Sequence, residues 1–168
     1  NFLSQMAYAD WSGLRPLSEF EYEKLCRGNR PAVANENAWG TIDLYAVTAT
    51  LANVGTATEL VSNPAIGAIA NHAVINAGNI RPWRAAGIAA SFATPTRVEA
   101  SAGYYGAMEL SGNLAESYIS VANTEARLFN GAIVGDGNLT AAGAADVSTW
   151  PTTTPGSVSR RGGSFQDP

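Results

Sequence analysis

Between Asn29 and about Ala100 the chain never settles into a hydrophobic period. Ala, Thr, Asn and Gly dominate, broken only by short apolar pieces such as Leu44 to Val47 and Ala73 to Ile75. Neither the 3.6-residue repeat of a helix nor the alternation of a strand is sustained. The stretch is nevertheless too apolar and too poor in charge to be disordered on composition. It predicts packed irregular structure with short strands and turns. No repeat of about 20–50 residues is visible, which argues against a solenoid or propeller.

Regular structure is expected on either side. Phe2, Leu3, Met6 and Ala7 recur at helical spacing and Ser12-Gly13 supplies a stop, so the chain opens as the end of an amphipathic helix, with Asn1 inside it. Trp11 is expected to dock that end onto the core. Ser18-Glu19-Phe20-Glu21 is a capping box, in which Ser18 accepts from the Glu21 amide and Glu21 reaches back to the Ser18 amide. A second helix then runs from about Glu19 to Arg27, with Tyr22, Leu25 and Cys26 on one face and Gly28 as a left-handed C-cap. Further on, Met108 to Val121 suggests strand and turn, Gly135-Asp136-Gly137-Asn138 a turn, and Arg160 to Phe165 entry into another strand.

A chain of 168 residues fits one domain, and a single core is expected. Alanine supplies much of the 46% hydrophobic content, so small-residue packing carries more of that core than usual. A net charge of -4 with scattered basic residues leaves no footprint for nucleic acid. Lys24 is the only lysine against nine arginines, a bias that suits fixed hydrogen bonding to carboxylates and carbonyls. Several arginines are therefore expected to be structural clamps. Cys26 is the only cysteine, so these residues build no disulfide and no cysteine metal cluster. Nothing approaches the roughly eighteen apolar residues of a membrane span, and the start lacks signal-peptide regions. With no initiator methionine, the chain reads as a piece of something longer.

Three blocks together resemble one family. They are Ala9 to Glu23 followed by Arg27-Gly28, then Tyr105-Gly106-Ala107-Met108-Glu109-Leu110-Ser111-Gly112-Asn113-Leu114-Ala115-Glu116, then Arg161-Gly162-Gly163-Ser164-Phe165. In order and spacing they are similar to formylglycine-generating enzymes, the sulfatase-modifying-factor domain, whose fold is related to C-type lectins. The resemblance implies an α+β, loop-rich fold with two helices near the N-terminus and short antiparallel strands. It implies one such domain over residues 1–168, incomplete at both ends.

The family's oxidases use a cysteine pair near the C-terminal end of the domain, where thiolates bind copper(I). No such pair lies in these residues, and Cys26 reads as a buried hydrophobe. The family's Gly-Asn motif also wraps calcium. Carried over by that motif, Glu109 and Glu116 supply side-chain oxygens, and Gly112 and Leu114 supply carbonyls, a hard-oxygen set suited to calcium. Two departures from the pattern are Glu109 in place of the usual Asp or Asn and the absence of aromatics flanking Glu116.

Other candidates read as structural. Asp136-Gly137-Asn138 opens like a calcium loop, but the twelfth position falls on Val147 where an EF-hand needs glutamate, so it reads as a turn. His72 is the only histidine and no serine lies in a nucleophile elbow. Trp11, Trp39, Trp83 and Trp150 suit core anchors better than a sugar platform. Asn138-Leu139-Thr140 matches a glycosylation acceptor, relevant only to a eukaryotic secretory route. The reading that results is a non-catalytic, extracellular or surface-exposed binding or structural module. Calcium is its expected cofactor, and its partners are a protein or carbohydrate ligand or copies of itself. The alternatives are a copper-dependent formylglycine-generating oxidase with its cysteines beyond Pro168, and a structural subunit of a filament or phage-like particle.

Overall fold

A computed structural model describes residues 1–44, 51–53, 55–58, 60–61, 92–151 and 156–164. Within them run α1 (Phe2–Trp11), α2 (Glu19–Arg27), β1 (Leu51–Ala52), β2 (Leu60–Val61), β3 (Glu116–Ile119), a single 3-10 turn (Ala126–Leu128) and β4 (Val158–Arg161). The class is mixed α+β. β1 and β2 pair antiparallel, with Leu51 opposite Val61 and Ala52 opposite Leu60, and β3 pairs with β4. Chain contacts divide the protein into two compact units, one of Asn1–Tyr22 with Ser117–Arg160, the other of Glu23–Glu116 with Arg161–Pro168. His72, Trp83, Phe165 and the apolar pieces at 45–47 and 73–75 fall outside the described residues.

In the first unit, α1 begins at Phe2 because the Asn1 side chain accepts the Leu3 N–H at 2.8 Å. Asn1 thus caps the helix and does not lie inside it, as a short carboxamide at N-cap satisfies an amide the helix cannot. The helix stops where Gly13 takes φ +68 and Leu14 N–H returns to Ala9 O at 2.8 Å. Met6, Ala9 and Asp10 are its buried residues. Trp11 is not the docking residue expected of it. It is 62% exposed and tilts against Tyr8 on the outer face, 6.1 Å between centroids, and the anchor is its neighbour Asp10.

The capping box forms as expected. Ser18 N–H donates to Glu21 at 2.9 Å, and Glu21 N–H makes a longer contact of 3.4 Å to Ser18 Oγ. Arg15 adds a bidentate clamp on the same carboxylate, at 2.9 and 2.5 Å. That guanidinium, with the Ser18 donors, outweighs burial and holds the Glu21 carboxyl at about 2, below its ordinary 4.5. A depressed folded value stabilises the fold above the unfolded value and ceases to do so as pH falls towards 2. With both side chains partly solvated, the worth is about 1 kcal/mol. The stability deficit of Glu21→Gln in urea is therefore expected to be about 1 kcal/mol at neutral pH and to shrink towards zero as pH falls from 4.5 to 2.

Ile119 N–H donates to Leu17 O at 2.9 Å, which brings β3 alongside the chain entering α2. Tyr22 packs on Tyr118 at 4.5 Å. The core gathers Met6, Ala9, Ile119, Ala126, Ala145 and Trp150, with Phe2, Phe129 and Val147 against it. Half of those buried residues are alanine, in keeping with the expected small-residue packing.

In the second unit, Gly28 closes α2 at φ +66, where a Cβ would also sit 2.4 Å from the Tyr104 ring. Trp39 is buried against Val98. Arg97 is the clamp foreseen from the arginine bias: its guanidinium donates to the carbonyls of Cys26, Ala38 and Ala102. Arg161 pairs with Glu23 at 3.7 Å. The strand ends at Arg161 where entry into one was expected, because Gly162 and Gly163 both take positive φ, +85 and +69, which an extended strand does not use. No described helix is long and apolar enough to cross a membrane.

Candidate functional site

α1 carries one charged side chain, Asp10, and the first unit buries it completely. A buried carboxylate is tolerated only if its oxygens are bonded. Oδ1 accepts the Asp136 N–H at 3.1 Å and Oδ2 accepts the Asp146 N–H at 3.0 Å. The Asp10 carbonyl receives Gly13 N–H at 3.0 Å and Gly137 N–H at 3.1 Å. One residue of α1 thus fixes two separate loops. Close approach is possible because residue 135 is glycine: a Cβ there would lie 2.3 Å from the Asp10 Cα and carbonyl oxygen.

Those bonds bring two more carboxylates to the same place. Oxygens of Asp10, Asp136 and Asp146 all lie within 4.8 Å of one another, Asp10 buried and the other two exposed. Among the described residues no guanidinium or ammonium pairs with any of the three. Three like charges gathered without a basic partner repel, and a bound cation offsets that repulsion. The donors are all hard oxygens, with no nitrogen or sulfur, a set that fits calcium or magnesium and not a soft transition metal. Oxygens sharing one calcium at about 2.4 Å stand at most about 4.8 Å apart, so the cluster could hold a metal ion without large rearrangement.

Of these three acids the sequence marks Asp136 alone, and as a turn residue. Asp136 does form the expected turn, its Oδ1 accepting Asn138 N–H at 2.8 Å, with Gly137 at φ +88. Its association with Asp10 and Asp146 was missed, because neither stands at a fixed motif spacing from it. The available signal was Asp10 itself, a lone acid four residues after the apolar Met6 on an otherwise uncharged helix.

The predicted calcium set lies in the second unit. Glu109 takes φ +62, Gly112 φ +79 and Asn113 φ +61, so the Gly-Asn motif is a tight turn with unusual backbone. Glu109 is brought together with Asn113, whose Nδ2 donates to its carboxylate at 3.1 Å. Burial pushes the Glu109 carboxyl above its ordinary range, and the Asn113 bond only partly opposes this. Gly112 N–H donates to Gly162 O at 2.6 Å, Leu114 is exposed, and Glu116 sits at the start of β3, half-buried. Cys26 is half-buried on α2. Comparison of the chain with protein-family profiles, curated proteins and solved structures finds no match.

Proposed function

We propose that this chain is a non-catalytic binding or structural module whose loops are set by the Asp10 centre and whose Asp10, Asp136 and Asp146 carboxylates hold calcium. The observation that carries the reading is the buried Asp10 carboxylate, bonded to two loops and joined by two further acids with no basic partner. A cation there ties the loops at 136 and 146 to α1. Loops held in this way on a packed core are where binding specificity resides.

Two of the three acids face solvent, so the site is shallow. Sites of this kind are weak, with dissociation constants on the order of 10⁻⁴–10⁻³ M, a range filled by calcium outside cells. That supports an extracellular or cell-surface setting. The likeness to formylglycine-generating-enzyme and C-type-lectin domains rests on the three sequence blocks and is part of the same proposal.

Calorimetric titration checks it. The native chain is expected to take up one equivalent of calcium with a dissociation constant of about 10⁻⁴–10⁻³ M. Asp146→Asn, which keeps the backbone bond to Asp10, is expected to take up none. No heat from the native chain would remove calcium from the reading.

A further inference from the structure

The first unit also carries a cleft of about 520 Å³, lined by Phe20, Ile119, Val121, Arg127, Phe129 and Gly131, with Ser18 and Glu21 at its polar side. We propose that it binds a small aromatic carboxylate, the ring against Phe20 and Phe129 and the anion on Arg127. None of the three aspartates lines it, so this inference goes beyond the calcium reading and stands apart from it.

The volume lies in the range of small-molecule sites, and the walls are mostly apolar, as such sites are. Phe20 is 69% exposed at its edge, while Phe129 is half-buried against the core. Two aromatic side chains lining one cleft offer a flat apolar guest faces or edges to pack on.

The polar groups determine the charge of that guest. Ser18 is engaged with Glu21, and Glu21 also with Arg15, so neither presents a free acceptor charge. Glu19, which accepts the Val121 N–H, does not line the cleft. Arg127 differs. Its Nε and Nη2 donate to the carbonyls of Val121 and Ala122 at 2.9 and 3.3 Å, which fixes the guanidinium, and no carboxylate pairs with it among the described residues. Its Nη1 carries no hydrogen bond there. An oriented cation beside apolar walls favours an anionic ligand over its neutral isostere.

The probes are 3-phenylpropionate and its amide, which differ only in charge, titrated at millimolar concentration and followed by amide chemical shifts. The native chain is expected to bind the carboxylate, with shifts at Phe20, Val121 and Gly131, and to bind the amide at least about tenfold more weakly. Arg127→Gln is expected to bring the carboxylate down to the level of the amide. Gly131→Leu is expected to abolish both, since its Cβ has room, 3.5 Å from Arg15 and 3.8 Å from Phe129, and the longer side chain fills the cleft. Equal binding of the two probes by the native chain, binding of neither, or full carboxylate preference in Arg127→Gln would each overturn the proposal. The native comparison and Gly131→Leu decide it even if Arg127→Gln does not fold.

Discussion

Asp10→Ala is expected to lower stability by about 3–5 kcal/mol. The carboxylate is fully buried and accepts one backbone N–H from each of two loops, so truncation strips both donors of a charged acceptor. Hydrogen bonds to charged groups are worth about 1.5–3 kcal/mol each, and relief of the buried charge offsets part of their sum. Asp10→Asn, which retains one acceptor oxygen, is expected to lose about half as much. The check is urea unfolding, read as a shift in midpoint at unchanged slope. A loss below about 1 kcal/mol for the alanine variant would mean that the loops at 136 and 146 hold themselves.

Gly135→Ala probes the same junction from the opposite side and is expected to cost about 3 kcal/mol or more. Its Cβ would lie 2.3 Å from the Asp10 Cα and carbonyl oxygen and 2.7 Å from its carbonyl carbon. These are backbone atoms on a helix, so neither partner can yield by changing a rotamer. Either α1 or the 135–137 loop must move, and the bonds to Asp10 lengthen with it. Gly131→Ala is the matched control. Its Cβ meets nothing nearer than 3.5 Å, and the change is expected to stay within about 0.5 kcal/mol of neutral. Equal costs for the two variants would contradict the close packing at Asp10.

The contrast between these residues and the capping box shows what the sequence could convey. Ser18 and Glu21 are three residues apart and satisfy each other within one helical turn, so their pattern is complete in four letters. Gly28 was legible for the same local reason, since a left-handed residue after the helix favours glycine. Arg97 was legible in kind only. The arginine bias predicts clamps, but its carbonyl partners at Cys26 and Ala38 lie 71 and 59 residues away. Trp39 and Trp150 anchor cores as expected, yet Trp11 does not, because periodicity on a ten-residue helix does not separate a buried aromatic from one tilted against a neighbour in solvent.

Asp10 lay furthest from view. Its partners are 126 and 136 residues along the chain, and a site assembled from one helix and two loops has no fixed spacing to match. An EF-hand register from Asp136 fails at Val147, and that pattern describes one contiguous loop only. The calcium set that the family resemblance implies lies on the Gly-Asn turn, where Glu109 faces burial and an amide donor.

Thermal unfolding with calcium and with chelator tests whether the proposed calcium centre of Asp10, Asp136 and Asp146 steadies the loops. A ligand bound only by the native state raises stability by mass action. With about 10 mM calcium and the affinity proposed above, the native chain is expected to melt about 3–11 °C higher than in chelator. The shift is expected to vanish in Asp146→Asn and to persist in Glu109→Gln. No shift in the native chain would rule out a calcium centre at Asp10, and a shift that survives Asp146→Asn and disappears in Glu109→Gln would move calcium to the Gly-Asn turn.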